Sequence, residues 1–284
     1  MNFPVVTKPL ALRVGKSEAD YFASWLKVMQ AQPGNPFGIE IRQFGNAVAL
    51  VNSDATLGPT FNRVLGFGDA DAERLDEIVQ FYEERDLSCR IDINPYEAGP
   101  KLFDYLEATG LHPFRFHNHL YGVPSVLPRQ ENHQEENNQE NGVAVTAREI
   151  RAEEVALWAE VWHQGYAEAL GVPTAMAGQI ADATQGLHGQ PGWGLYLAFA
   201  DGQPAAAGAL FVQDGVGSVL MGGTLPEFRR RGCQTALLRV RIADAAKQGC
   251  DLVAAQAALD ATSQHNMERV GMRIAYTRAF WFRR

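Results

Sequence analysis

The chain has 284 residues and a mass of 31.2 kDa, about the size of two ordinary domains. Hydrophobic residues make up 46% of the sequence, enough to bury a core, so the composition excludes global disorder. The net charge of -8 and the pI of about 5.4 argue against broad binding to nucleic acids or anionic membranes.

The first 128 residues predict alternating helices and strands. A helix is expected over Glu18–Gln30, followed by a hairpin of Ile39–Ile41 and Ala47–Val51 around Gly45-Asn46. A strand over Phe61–Phe67 and an acidic helix over Ala70–Arg85 are expected next. They are followed by a strand over Cys89–Ile93, a helix over Ala98–Thr109 that Gly110 ends, and a last strand over Pro113–Tyr121. Hairpins beside strand–helix–strand crossovers imply an α/β fold with a mixed sheet and helices on its faces.

A polar segment then separates the two halves. Residues 129–142 read RQENHQEENNQENG and contain no large apolar side chain, which predicts a linker or an exposed loop. The charge changes across it: residues 1–128 carry a net charge of -5, the segment carries -3 and residues 143–284 carry zero. We therefore expect two domains, 1–128 and 143–284.

The second half predicts the same succession of elements. A helix over Ala152–Leu170 precedes a hairpin that turns at Asp201-Gly202. We then expect a strand over Gly217–Thr224, a helix over Arg230–Lys247 and a strand over Asp251–Ala257. A helix over Ser263–Val270 and a strand over Ile274–Phe282 complete the half. Gly271, which ends the last helix, lies 161 residues after Gly110, and the opening strands are about 155 residues apart. This near-constant spacing favours a duplicated unit over two unrelated α/β domains.

The segment from Thr224 to Leu238, TLPEFRRRGCQTALL, is the one that points to chemistry. A strand ends at Pro226, and three arginines and Gly232 lead directly into a helix. A helix N-terminus presents unpaired N–H groups and partial positive charge, which suits a phosphate or pyrophosphate. Gly232 permits close approach of a ligand to the backbone, and the arginines add charge. The alternative is a basic helix cap exposed to solvent.

This segment resembles a known family. Arg229-Arg-Arg-Gly232-Cys-Gln234 is similar to the [Q/R]-x-x-G-x-[G/A] acetyl-CoA signature of the GNAT superfamily of N-acetyltransferases, with Gln234 in place of glycine or alanine. Ser263–Met272 is similar to the last helix of that family. The resemblance covers about 143–284 and implies two tandem GNAT-like domains, of which the C-terminal one is catalytic.

The resemblance also implies a set of cofactor contacts. The pantetheine arm of acetyl-CoA would pair with backbone near Gly223, Thr224 and Leu225, and one N–H would polarise the thioester carbonyl. Asn266 would contact the cofactor from the last helix. The pyrophosphate would lie on the loop and the first helical turn, formed by Arg229, Arg230, Arg231, Gly232, Cys233, Gln234, Thr235 and Ala236.

The proton-transfer groups are less evident. Family members often carry a tyrosine four residues before the glycine that ends the last helix, where this chain has Met267, which has no proton to donate. Tyr276 is the nearest phenol and therefore the candidate acid, although a tyrosine packed on the sheet is the commoner role. Water is the other candidate. His163 and Tyr166, at i and i+3 of one helix, could reach an acceptor.

The first half lacks the signature. At the corresponding position it has Gly66-Phe-Gly-Asp-Ala-Asp71, whose carboxylates would repel a pyrophosphate. Asp69 or Asp71 is expected to cap the helix that follows. We therefore predict a degenerate GNAT-like domain that binds no CoA.

The sequence thus predicts transfer of an acetyl group to a primary amine of a small molecule or peptide. The alternative is a catalytically inactive CoA-binding regulator. Nucleic acid, membrane and metal are not expected as partners, and a homodimer is left open. The three scattered cysteines, Cys89, Cys233 and Cys250, together with the lack of a signal-like segment, favour a reduced cytoplasmic protein.

Overall fold

The computed structural model describes residues 3–54, 61–127, 144–170 and 174–283. The chain forms two compact units. The C-terminal unit consists of Met1–Pro4, Leu120–Ala255 and Asp260–Arg273, and the N-terminal unit of Val5–His119, Gln256–Leu259 and Ile274–Arg284. The units differ from the expected ranges 1–128 and 143–284 mainly at the last strand, which belongs to the N-terminal unit. The expected linker at 129–142 lies outside the described residues.

The N-terminal unit is a mixed sheet with helices. Its strands follow the order β1-β2-β3-β4-β11-β5. They are β1 (Ile39–Phe44), β2 (Ala47–Asn52), β3 (Arg63–Leu65), β4 (Arg90–Ile93), β5 (His112–Gly122) and β11 (Arg273–Phe282). The helices are α1 (Lys8–Gln30), α2 (Leu75–Glu83), which continues a 3-10 helix over Asp69–Arg74, and α3 (Pro100–Ala108). β3 and β4 are parallel and pair at Val64 and Ile91, whereas β11 is antiparallel to β4.

A cluster of buried charges lies in this unit between α1 and the strands. Glu18 of α1 is 2% exposed and forms ion pairs with Arg278 of β11 and Arg63 of β3. Asp92 of β4 pairs with the same two arginines and with Arg90. Charges buried this deeply are tolerated when they are paired, as these are. The cluster therefore links α1 to three strands of the sheet, including β11.

The C-terminal unit repeats the plan. Its strands follow the order β10-β9-β8-β7-β6, with β9 and β10 parallel and the other pairs antiparallel. They are β6 (Val145–Glu149), β7 (Trp193–Ala200), β8 (Gln203–Gln213), β9 (Val216–Thr224) and β10 (Leu252–Ala258). The helices are α4 (Val155–Leu170), α5 (Thr174–Thr184), α6 (Cys233–Lys247) and α7 (Thr262–Arg269). No helix of the described residues has the length and apolarity that a membrane crossing requires.

Most predicted elements are present, with shifted ends. α1 begins at Lys8 rather than Glu18, and α6 begins at Cys233 rather than Arg230, because Arg230 and Gly232 both have left-handed backbone. The acidic helix expected over Ala70–Arg85 is divided into a 3-10 turn and α2. The succession of strand, helix, strand, helix and strand is found in both halves of the chain.

Candidate functional site

The carboxyl ends of β9 and β10 separate from each other. The two parallel strands pair at Val216–Leu252, Gly217–Val253 and Ser218–Ala254. Beyond these pairs β9 continues to Thr224 and β10 to Ala258, and these residues, all of them described, no longer pair with each other. Backbone groups on that side of β9 are therefore available to a bound chain of atoms.

A β-bulge distorts β9 at this opening. On β8, Ala209 pairs with Leu220 and Ala207 with Gly223, so that Gly208 alone faces both Met221 and Gly222. Met221 has φ of 55°, a left-handed conformation that costs a side-chain-bearing residue about 1–2 kcal/mol. The opening between the strands therefore coincides with a strained residue, which is typical of functional sites.

The bulge also switches the faces of the strand. A Cβ on Gly217 would lie 2.7 Å from Ala245 Cβ of α6, and a Cβ on Gly222 would lie 2.9 Å from Gln234 Oε1 of the same helix. Residues five apart in a regular strand point to opposite faces, so one extra residue has been inserted between them. Gly223 instead faces α4, where its Cβ would lie 3.1 Å from the Tyr166 nitrogen. The end of β9 is thus enclosed by α4 on one face and α6 on the other.

The loop between β9 and α6 has the features of an anion site. Gly232 is the N-cap of α6 with φ of 84°, and no side chain caps the helix. The first helical bond runs from Ala236 N–H to Gly232 O, at 3.0 Å. Arg229 and Arg230 are exposed, and Arg231 lies over the Phe228 ring. Helix N–H groups and guanidinium groups therefore occur together on this loop.

The departure from the family signature at Gln234 has a structural explanation. The Gln234 side chain turns back toward β9 and donates from Nε2 to Thr224 Oγ1 at 2.8 Å. The same side chain occupies the space that a Cβ on Gly222 would need. Gln234 therefore ties the start of α6 to the end of β9.

Three of the expected cofactor residues have their own contacts within the protein. Both backbone groups of Leu225 are used, since its N–H donates to Ala205 O at 3.0 Å and its carbonyl accepts from Phe228. Cys233 is 2% exposed and burial raises the pKa of its thiol, in agreement with a packing role. Asn266 is half-buried on α7, where its Oδ1 accepts from Arg269 at 2.8 Å.

The structure places Tyr276, the candidate acid expected from the sequence, in a buried setting. It belongs to the N-terminal unit, is 6% exposed, and its hydroxyl lies 3.1 Å from His119 Nδ1. Burial raises the pKa of this phenol well above its usual value. Its burial and its contact with His119 favour the structural role that was its alternative. Met267, which stands at the position of the family's tyrosine, is buried on α7.

In the N-terminal unit the corresponding loop is filled by its own carboxylates. Asp69 Oδ1 accepts the N–H of Leu102 at 2.8 Å, in the first turn of α3. Asp71 accepts from the backbone and side-chain nitrogens of Asn46, at 3.2 and 3.1 Å. The prediction that Asp69 or Asp71 caps the helix that follows is wrong, because Gly68 is the N-cap of that helix and no side chain caps it. The two carboxylates hold α3 and the β1–β2 hairpin instead.

The residues that shape β9 were not predictable from the motifs of the sequence. They are Met221, Gly208 and Arg241, whose buried guanidinium donates to Leu220 O. The glycine pair 222–223 inside a strand was the available signal, because glycines in strands often mark bulges. Gly165 in the middle of α4 was another, since a Cβ there would lie 2.8 Å from the Thr224 nitrogen.

Comparison with known proteins supports the family resemblance. Residues 129–258 match the model of the acetyltransferase (GNAT) domain. No curated protein matches the chain. Among solved structures, a GCN5-related N-acetyltransferase from Kribbella flavida is similar at 19% identity, with a TM-score of 0.63 over 96% of this chain and 95% of that one. A GCN5-related N-acetyltransferase from Sphaerobacter thermophilus gives 15% identity and 0.58, over 99% and 95%.

A third structure has the tandem arrangement stated in its description. It is a tandem GNAT protein from the clavulanic acid biosynthesis pathway, similar at 14% identity with a TM-score of 0.53 over 93% of this chain and 95% of that one. Identities this low show the fold, and the coverage shows that the fold extends over both halves. Residues 129–258 therefore match a GNAT domain, and the fold of GNAT proteins extends over both halves of the chain.

Proposed function

We propose that this protein is an N-acetyltransferase that uses acetyl-CoA as co-substrate and a primary amine of a small molecule or peptide as acceptor. The observation that carries the proposal is the combination of separated strands, a bulge on β9 and an uncapped helix N-terminus in one unit. We place catalysis in the domain at 143–284, without its last strand, and describe the domain at 1–128 as degenerate.

The residues present fit acetyl-CoA. The pyrophosphate would lie on the loop and first turn of α6, over Arg229–Ala236, where no side chain caps the helix. The N–H groups of Arg229 and Ala236 donate to Pro226 O and Gly232 O, so the donors to the pyrophosphate would be those between them. The pantetheine arm would lie along β9 beside Gly223 and Thr224, where pairing with β10 has ended. Leu225 would contribute its side chain, because its backbone is already bonded, and Asn266 would contact the cofactor from α7.

Within this site the backbone of β9 supports acyl transfer. Arg241 Nη1 donates both to Ala209 O of β8 and to Leu220 O, and the trans peptide directs the Met221 N–H away from that contact. The Met221 N–H is therefore the donor we assign to the thioester carbonyl oxygen. As the neutral amine attacks, a carbon–nitrogen bond forms, the carbon–sulfur bond breaks and the electron pair leaves with sulfur. A preorganised donor of this kind is worth about 10²–10³ in rate.

The proton transfers are assigned to water. The amine loses its proton to solvent, and the CoA thiolate takes one from solvent. Met267 has no proton to donate, and Tyr276 is bonded to His119 in the N-terminal unit. Tyr166 stacks on Trp162, and its backbone nitrogen and Cβ lie beside Gly223, which supports Tyr166 as the residue that orients the amine.

The lack of a proton donor at Met267 favours a second candidate, a CoA-binding regulator without turnover. The cofactor site would be the same in both cases, and the two functions differ only in whether bound acetyl-CoA is turned over. Continuous release of CoA in the presence of an amine supports the enzyme. Tight binding without release in a broad amine screen supports the regulator.

The cofactor site is tested by calorimetric titration of acetyl-CoA into wild type, Gly232→Glu and Gly249→Glu. Both glycines have left-handed backbone, with φ of 84° and 80°, at opposite ends of α6, so the strain of substitution is matched. Like charges about 4 Å apart at a partly exposed site repel by about 4 kcal/mol, and about 1.4 kcal/mol is tenfold. We therefore expect at least a ~100-fold loss for Gly232→Glu and less than about threefold for Gly249→Glu. Equal losses in both variants would contradict the assignment.

A further inference from the structure

The side chain of Arg241 is a buried cation in the middle of α6. It is 2% exposed, and its three hydrogen bonds all go to backbone carbonyls. Nε donates to Leu237 O at 2.8 Å, and Nη1 donates to Ala209 O at 3.0 Å and to Leu220 O at 2.9 Å. Within the described part of the chain no carboxylate pairs with it, and burial lowers the pKa of the guanidinium to about 10, which leaves it charged at neutral pH.

Burying a cation without a counter-ion is costly, and a core position on a helix would ordinarily hold an apolar residue. The feature that distinguishes this position is the bulge. Ala209 and Leu220 form the last regular pair of β8 and β9 before the register shifts. Their carbonyls converge on one guanidinium nitrogen, so Arg241 satisfies carbonyls at the edge of the distortion.

Gly208 makes the room for this contact. It is the β8 residue that faces both Met221 and Gly222, and a Cβ on it would lie 2.7 Å from Arg241 Nη1 and 2.9 Å from Cζ. The carbonyl of Gly208 accepts from Trp158 Nε1 at 3.0 Å. The bulge is thus held by a guanidinium from α6 and an indole from α4.

The contact at Leu220 O also acts on the Met221 amide. Both atoms belong to one peptide group, whose C=O and N–H point in opposite directions. A cation at the oxygen polarises the whole peptide and makes its N–H a stronger donor, as in any chain of hydrogen bonds. Positive charge is therefore relayed to the side of the peptide that faces away from Arg241, and we assign that side to the opening between the strands.

We propose that Arg241 is a positioning residue for acyl transfer, which fixes the bulge and strengthens the Met221 N–H as the donor to the thioester oxygen. This inference rests on the proposed function. When the amine nitrogen bonds to the acyl carbon, that oxygen gains negative charge, and it loses the charge when the carbon–sulfur bond breaks. An effect on the donor is therefore greater in the transition state than in the bound ground state.

The test compares Arg241→Met, Arg241→Lys and Gly208→Ala with wild type, and uses Arg239→Met on the same helix as the matched control. Gly208→Ala moves the guanidinium without removing its charge, and Arg241→Lys keeps a cation that can reach fewer carbonyls. We expect kcat to fall about 10–100-fold in Arg241→Met and Gly208→Ala, with partial recovery in Arg241→Lys. The Kd for CoA is expected to stay within about threefold, and Arg239→Met to match wild type.

Unchanged kcat in any folded variant of Arg241 or Gly208 would overturn the proposal, and so would a loss of CoA affinity as large as the loss of kcat. If Arg241→Met does not fold, Arg241→Lys and Gly208→Ala decide the question. A second readout is the amide ¹⁵N–¹H resonance of Met221, which is expected to shift on addition of acetyl-CoA to wild type and to shift less in Arg241→Lys. If wild type binds acetyl-CoA but transfers no acetyl group, the proposal of an enzyme is refuted. The Met221 resonance then still tests the contact between the Met221 N–H and acetyl-CoA. An identical Met221 shift in wild type and variant would overturn the contact itself, and absence of both binding and transfer would overturn both proposals.

Discussion

Replacement of Glu18 by glutamine is expected to destabilise the N-terminal unit severely. The carboxylate forms an ion pair with Arg63 Nη2 at 3.0 Å, a two-pronged contact with Arg278 and a contact of 3.4 Å with His119 Nε2. Glu18→Gln keeps the shape and removes the charge. Three arginines would then face the single negative charge of Asp92 in a buried site.

The expected cost follows from the burial of the partners. Arg63 and Arg278 are each 4% exposed, so water cannot replace the lost charge. Breaking such a buried pair costs about 3–5 kcal/mol, a large part of the 5–15 kcal/mol by which a folded domain is typically stable. The measurement is urea unfolding followed by tryptophan fluorescence. Trp25, two turns after Glu18 on α1 and buried against Phe61, reports on this unit.

Asp20→Asn is the matched control on the same helix. Asp20 pairs with Lys16 at 2.6 Å, but the lysine side chain is 57% exposed, so the loss is expected to be about 0–1 kcal/mol. The double variant Glu18→Gln/Arg278→Gln is expected to lose less than the sum of the two single variants, because the cation no longer lacks its partner. A loss in Glu18→Gln no greater than that in Asp20→Asn would refute the reasoning.

Three further outcomes are expected. Burial lowers the pKa of His119 to about 3 and that of His117 to about 4. Burial alone would raise the pKa of Glu18, but Arg278 and Arg63 hold it at about 2. The unfolded chain binds protons at these groups at a higher pH than the folded chain does, so the free energy of unfolding should fall as the pH decreases from about 6.5 to about 2. A free energy of unfolding that does not change over this pH range would contradict the role assigned to these buried groups. Gln234→Ala should cost about 1 kcal/mol in urea unfolding through the lost bond to Thr224, and change CoA affinity less than threefold by calorimetry. Tyr276→Phe should keep kcat within about twofold in the CoA-release assay, since a catalytic acid at this position would require a much larger loss.

The fold was largely predictable because both halves carry strong periodic patterns. The hairpin at Gly45-Asn46 and the strand and helix on either side of Gly232 are found where their turn residues predict them. The membership of β11 in the N-terminal unit was not predictable from local pattern, since its alternation suits either unit. What distinguishes the N-terminal unit is a buried partner, Glu18, that lies 260 residues from Arg278 in sequence.

The loop between β9 and α6 was predictable from the sequence, whereas the bulge on β9 was not. The arginines and Gly232 form a contiguous motif, and their chemistry follows from the start of a helix. The bulge depends on contacts between Gly208, Met221 and Arg241, which come from three different elements. An arginine in the middle of a helix is ordinarily an exposed residue, so its sequence position alone predicts the opposite of the burial observed.

The central claim is acetyl transfer from a single cofactor site, and the most direct measurement tracks the acetyl group itself. Acetyl-CoA with an isotopically labelled acetyl group is incubated with the full chain and a panel of primary amines, and both CoA release and labelled amide are quantified by mass spectrometry. The account predicts equal amounts of the two products, in excess of the protein, and their loss in Gly232→Glu but not in Gly249→Glu. Binding of acetyl-CoA without labelled amide from any acceptor would contradict it and leave a CoA-binding regulator.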